Sequence, residues 1–271
     1  DSSTIVALMQ AQSSRPVKTF SIGFQEKGYN EAEYAKAVAK HLGTDHTELY
    51  INAAQAMAVI PRLPVLYDEP FSDSSQIPTF LVSQLARQYV TVSLSGDAGD
   101  ELFCGYNRYQ MAANLWRALA FVPLPLRKLA AIGLTCISSR TWSKWAATVE
   151  RFLPHSVRFA NLGDKIHKGA EVLTTRSPDA LYLGLVSHWA DPASIVINGS
   201  EPPTLLMNGM LNLNGLDIVQ RMMVLDMLTY LPDDIMVKVD RAAMGVSLET
   251  RAPFLDHRVI EFAWRLPQAM K

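Results

Sequence analysis

Two cysteines, Cys104 and Cys136, among 271 residues are too few for a disulfide framework. They fit a reducing, cytosolic setting in which each thiol is a small core residue rather than a nucleophile. Net charge is almost absent, with 25 Lys plus Arg against 26 Asp plus Glu. That balance excludes a global basic field for nucleic acid or an anionic membrane, so an anionic ligand must be caught locally. Long apolar runs are also missing: Trp116 to Val122 and Leu129 to Ile137 are interrupted or too short to cross a bilayer. Nothing reads as a signal peptide. His41, His46 and His257 show no metal-ligand spacing with each other or with cysteine, which argues against zinc.

What is present is 49% hydrophobic and 19% charged residues, enough for one large domain or two modest ones. The chain opens on "DSSTIVALMQ", without Met or a preceding strand, and closes at "RLPQAMK" just after a strongly patterned segment. The expectation is a fragment of a longer polypeptide.

Asp1, Ser2 and Ser3 are good N-cap residues ahead of Ile5, Val6, Leu8 and Met9, which predicts a helix start. "VKTFSIGF" alternates and reads as a strand, "YNEAEYAKAVAKHLG" as a helix capped by Asn30 and ended by Gly43, and "DHTELYI" as a second strand. Helices follow at Ala53 to Ile60 and over "SQIPTFLVSQLARQY", with Pro78 near its first turn. "VTVSLSG", Val90 to Gly96, is a near-continuous apolar strand of the kind buried on both faces. Strands alternating with helices imply parallel pairing through right-handed crossovers. The expected fold is therefore α/β, a parallel sheet with helices on both faces over residues 1–105. Residues 106–271 show helical periodicities, such as "IVQRMMVLDMLTYL", broken by "FVPLPL", "DPASIVINGSEPPT" and "YLPDD", with no convincing strand.

Ligands of open parallel sheets bind beyond the carboxyl ends of the strands, where two dense stretches fall. In "SLSGDAGDELFCGY", Ser95 and Gly96 let the backbone turn close to a ligand, and Asp97, Asp100 and Glu101 offer acceptors. Asp97 and Asp100 either complement a helix dipole or hold a ligand, with even weight on residues alone. "DSS" is a plain N-cap or an anion receptor. Asp1 and Asp100 would supply the carboxylate pair a Mg²⁺ takes if their strand ends are neighbours. A third region, Tyr230 to Phe262, mixes charges with apolar residues; Glu249, Arg251 and Asp256 read as a buried ion-pair network, Lys238 and Arg241 as candidates to touch an anion. Met222, Met223 and Met227 read as core. Asp68, Glu69 and Asp73 in "YDEPFSDSSQIP" sit in a loop that turn chemistry explains in large part.

Taken together these stretches closely resemble the synthetase domain of bacterial-type glutamine-dependent asparagine synthetases, members of the N-type ATP pyrophosphatases. "DSS" resembles the tail of that family's PP-loop, "TFSIGF" its second strand, "SLSGDAGDELFCGY" its "LSGEGADELFGGY" segment, and "VKVDRAAMGVSLETRAPFLDHR" its "VDRxSMAxSLExRxPFLDHR" block. The likeness covers most of residues 1–110 and 225–267. It implies an adenine nucleotide alpha-hydrolase-like core over 1–105 whose first strand is missing, a helical part of the same domain over 106–271, and an absent N-terminal glutaminase domain. It also implies ATP and Mg²⁺ as cofactors. Mg·ATP would adenylate the aspartate side chain, pyrophosphate would leave, and ammonia, drawn from glutamine in the full-length protein, would give asparagine. By the family's pattern Asp1 and Asp100 hold Mg²⁺, Ser2 helps bind pyrophosphate, and Ile22, Ser95 and Gly96 contact adenosine. Asp97 takes the place of a catalytic-site Glu, one methylene shorter, and Lys238 that of a basic residue near the substrate. Neither Cys104 nor Cys136 replaces the glutaminase cysteine, and the family's Gly-Lys-x-x-Leu-Arg segment would begin after Lys271. The expectations are a fragment that binds ATP weakly at most, a cytoplasmic protein, and a possible homodimer. Three alternatives stay open: a sugar uronate acceptor in surface-polysaccharide assembly, a β-lactam-forming relative, and a non-catalytic nucleotide-binding module.

Overall fold

The computed structural model describes residues 1–24, 31–150, 162–187, 189, 192–200, 203–206 and 211–271. The proposed cap Asn30, and Asp191, Glu201 and Pro202 of the "DPASIVINGSEPPT" break, lie outside them. Residues 1–105 and 223–271 form one compact unit and residues 106–222 another.

In the first unit, helix α1 (Ser2–Gln12) leads to strand β1 (Lys18–Phe24), helix α2 (Ala32–Leu42) and strand β2 (Asp45–Ile51). β1 and β2 pair in parallel from Lys18↔Asp45 to Phe24↔Ile51, with α2 packed across both. Gly43 ends α2 at φ 71°, a left-handed conformation open to glycine without penalty. Where one helix was expected from Ala53 to Ile60, Pro61 and Pro64 break the stretch into α3 (Ala53–Met57), a 3-10 turn (Ile60–Arg62) and α4 (Leu63–Tyr67). α3 carries a capping box between Asn52 and Gln55. Helix α5 (Gln76–Arg87) follows as expected and packs on β1.

Strand β3 (Val92–Leu94) is shorter than the Val90 to Gly96 stretch, and it pairs in parallel with β4 (Glu249–Arg251). β4 was not legible in the sequence. Its "ETR" has no apolar alternation, and main-chain bonds define it, including Ser95 N–H to the Arg251 carbonyl at 3.0 Å. The expectation of burial on both faces fails for β3, since Val92 and Leu94 are 41% and 39% exposed. The fold is thus mixed α/β, mostly helical, with two parallel two-stranded pieces.

"YLPDD" does not interrupt helical winding. After α12 (Ile218–Leu228), residues Leu231–Met236 form a π-helical turn that runs directly into α13 (Val237–Met244). Pro232 has no N–H for the regular ladder, and the turn widens instead. α13 is fixed by packing: Ala242 meets Phe80 and Val59, while Ala243 meets Ala86 and Leu248. Helix α14 (His257–Arg265) is capped by Asp256, which accepts the Arg258 N–H.

The second unit holds α7 (Asn107–Ala120), α8 (Leu124–Thr135), α9 (Ser139–Glu150), α10 (Leu162–Leu173) and α11 (Pro178–Val186). α10 packs on α8 and α9, and α11 on α7. Arg221 forks onto Asp179 at 3.1 and 2.6 Å. Among the described residues no single helix is long and apolar enough to cross a membrane.

Candidate active site

The turn after β3 is folded against the first residues of α1. A Cβ on Gly96 would lie 2.5 Å from the Ser2 amide nitrogen and 2.8 Å from its Oγ, so only glycine permits this approach. Gly99 abuts the Asp1 carboxylate, and Gly105 abuts that of Asp100. The backbone makes this turn tightly: Ala98 and Cys104, which flank the short helix α6 (Gly99–Phe103), adopt φ of 73° and 60°. Such values are uncommon outside glycine, and the resembled "LSGEGADELFGGY" pattern has glycine at both places. Ala98 is held there by burial against Leu231 and Ile235.

Asp1 is the N-cap of α1 but its side chain caps nothing, because it is turned to Gly99 instead. The first α1 amides bonded within the helix are those of Thr4 and Ile5, both to the Asp1 carbonyl. The earlier N–H groups are therefore available for an anion at the positive end of the helix dipole. Beside them the Ser95 Oγ is buried without a hydrogen-bond partner among the described residues. A buried hydroxyl left unpaired costs free energy, which marks a place for a polar ligand atom.

A cavity of about 600 Å³ opens here, within the size range of small-molecule sites. Ser2, Ser95, Asp97 and Lys238 belong to its polar lining along with Lys18, Thr79, Ser83 and Ser93, and α1, β1, α5 and β3 supply apolar groups such as Ile5, Phe20, Val82 and Val92. Of the residues singled out from the sequence, Ser2, Ser95, Asp97 and Lys238 are thus brought to one cavity. Gly96 stands against Ser2 of the lining, while Asp1, against Gly99, is itself not among the lining residues. Ile22 and Asp100 are not among the lining residues. No group of three or more His, Cys, Asp or Glu able to hold a metal is present among the described residues.

Lys238 is not a solvated helix charge. Its ammonium donates to Asp73 Oδ2 at 2.7 Å, with the two side chains only 12% and 19% exposed. Asp73 also accepts from the Ser75 N–H and hydroxyl at 2.8 Å. Burial pulls the Asp73 carboxyl up, but the Lys238 and Ser75 hydrogen bonds outweigh it and hold the group below the usual range. A depressed carboxyl contributes stability that is complete above its unfolded value, about 3.9, and lost as pH falls. The melting-temperature advantage of the wild type over Asp73→Asn is therefore expected at pH 7 and to shrink below about pH 4, as thermal scans between pH 7 and 3 would show. Tyr67, whose hydroxyl donates to the Lys238 carbonyl, is pushed up to about 12 by burial and by the charges of Asp73 and Asp234, and stays neutral.

Sequence reasoning noted Asp73 as a loop acid but missed its pairing with Lys238, since that partner lies far along the chain. The expected buried network is also corrected: Glu249 and Arg251 pair at 2.7 Å but are 54% and 66% exposed. Asp256 is forked by the exposed Arg258 at 2.9 and 2.7 Å. Partners two residues apart hold both pairs at the surface. The buried acid of the turn is Glu101, 1% exposed.

The sequence profile of the asparagine synthase family matches residues 1–271. A putative glutamine-hydrolysing asparagine synthetase of Mycobacterium tuberculosis is 33% identical over the whole chain, which covers 38% of that relative. Asparagine synthetase 1 of Bacillus subtilis is 29% identical, again over the whole chain and 40% of the relative. A putative asparagine synthetase of Methanocaldococcus jannaschii is 44% identical over 41% of this chain and 22% of its own. The chain thus spans about two fifths of the length of the curated relatives it matches end to end. On its motifs, its mixed α/β core and this match, the chain belongs to the asparagine synthase family.

Proposed function

We propose that the chain is the synthetase part of an ATP-dependent amide-forming ligase that converts the aspartate side chain to asparagine with release of AMP and pyrophosphate. The observation that carries the reading is the junction of the free α1 amides with Gly96 and the unpaired Ser95 hydroxyl, a polar corner suited to phosphate and ribose oxygens. An acceptor carboxylate oxygen attacks the α-phosphorus of ATP, and the bond to pyrophosphate breaks. Ammonia then attacks the acyl carbon, AMP leaves, and a nitrogen proton departs. The α1 amides and Ser2 would take the pyrophosphate, Ser95 and the Gly96 main chain the nucleoside, with Ile22 on β1 as the more remote adenosine contact. Asp97 and Lys238 both line the cavity; in this reading Asp97 would accept the nitrogen proton and the Lys238 ammonium would stabilise charge on the acyl-phosphate.

Asp1 and Asp100 would hold Mg²⁺. The Asp1 carboxylate abuts Gly99, the residue before Asp100, and this ion takes one or two carboxylates and fills its remaining positions with phosphate and water. When bound it supplies charge neutralisation to the leaving pyrophosphate.

The core in this reading is an adenine nucleotide alpha-hydrolase-like layer. Among the described residues β1 and β3 each keep one unpaired edge, and residues of both line the cavity together with apolar groups of α1. Ammonia would come from glutamine through a glutaminase domain of the full-length protein.

Asp97, shorter than the family's Glu, is the observation that favours a second reading in which a bulkier acceptor such as a sugar uronate fills the site. The full-length protein with ATP, Mg²⁺ and ammonium, given either aspartate or a uronate, separates the two. AMP and asparagine in equal amounts from aspartate are expected; turnover with the uronate alone, or ADP in place of AMP, contradicts the aspartate reading.

A further inference from the structure

The loop Tyr67 to Ser75 is joined to α13 by bonds that the chemistry above does not use. Tyr67 donates to the Lys238 carbonyl at 3.2 Å, and Lys238 donates to Asp73 at 2.7 Å. Arg241 reaches the Tyr67 carbonyl at 3.1 Å and Asp68 at 2.8 Å. Asp68 turns the chain at φ 61°, and the Tyr67 and Phe71 rings stack at 4.8 Å, so the loop presents Asp73 in a set place.

An ammonium has three protons. Asp73 takes one from Lys238, and no second partner for this lysine is found among the described residues, although the side chain is 12% exposed and lines the cavity. Removing one partner of a pair this buried is destabilising, but the intact pair gains little over apolar packing, because desolvation cancels much of the attraction. It is a good source of position, since a free lysine samples many rotamers and a tethered one does not.

We infer that Asp73 is a positioning residue for the proposed ligase reaction, fixing the Lys238 ammonium so that its two remaining protons face the acceptor and α-phosphate. The inference rests on the ligase reading. A group held in place before charge develops needs no reorganisation during reaction, so loosening it reduces kcat more than ground-state binding.

The test is pyrophosphate release by the full-length protein with Asp73→Asn, Asp73→Glu, Lys238→Met and the Asp73→Asn/Lys238→Met double variant, each checked by thermal unfolding. Asp73→Asn is expected to lower kcat by about 10²-fold with the KM for Mg·ATP within about threefold. Asp73→Glu, which keeps the charge, recovers part of the loss. In the Lys238→Met background Asp73→Asn costs nothing further, because the group it positions is gone. Unchanged kcat in Asp73→Asn, or a loss equal in both backgrounds, overturns the inference while leaving the ligase reading intact. If Asp73→Asn fails to fold, the Asp73→Glu variant decides: full kcat loss with unaltered stability in a folded protein also overturns it. A wild-type protein that turns over no carboxylate removes the ligase reading, and the positioning role falls with it.

Discussion

Gly96→Ala in the full-length protein is expected to weaken Mg·ATP binding by about 10–100-fold, a loss of about 1.4–2.7 kcal/mol. The added methyl would stand 2.5 Å from the Ser2 nitrogen and 2.9 Å from the Asp1 carbonyl carbon, and both are main-chain atoms that cannot swing aside. The α1 N-terminus must move away from the turn, and overpacking of this kind costs about 1–3 kcal/mol. Because the same displacement separates the α1 amides from Ser95, stability and affinity fall together. Calorimetric titration alongside thermal unfolding checks this. Unaltered affinity in Gly96→Ala would mean that the junction is not the anion site.

The neighbouring acids Asp100 and Glu101 are expected to divide between chemistry and stability. Asp100 is half-buried with its carboxylate against Gly105, whereas Glu101 is 1% exposed. Asp100→Ala is expected to reduce AMP formation by about 10²–10³-fold, the scale on which single preorganised charge-stabilising groups act, with little change in melting temperature. Glu101→Ala removes a buried carboxyl and leaves its surroundings unpaired, a cost of about 1–3 kcal/mol. Its signature is a lowered melting temperature in protein that keeps its turnover per folded molecule. Steady-state kinetics and thermal scans on the two variants separate these outcomes, and a reversed pattern would exchange the two roles.

What was legible in the sequence was what short-range chemistry encodes. The alternating "VKTFSIGF" and "DHTELYI" became β1 and β2 in parallel, and Gly43 ended α2 as its left-handed φ requires. Family membership was legible as well, since four motifs stood in order. β4 was not, because three polar residues carry no periodicity and its existence depends on β3. The exposure of Val92 and Leu94 was equally invisible: an apolar run states what a strand can pack against, not what stands beside it. At the site, the sequence marked Ser2, Ser95, Asp97 and Lys238 one by one, but their convergence on one cavity is a tertiary fact. Asp73 shows the limit most clearly. Locally it is an ordinary turn former bonded to Ser75, and only the packing of α13 on α5 brings Lys238 to it.

The central claim is that the start of α1 and the turn after β3 together form a Mg·ATP site. Calorimetric titration of the full-length protein with Mg·ATP, repeated with Asp100→Ala, tests it most directly. The account predicts saturable binding by the wild type and at least about tenfold weaker binding by the variant, a difference of about 1.4 kcal/mol or more. A wild-type protein that binds no Mg·ATP would contradict it.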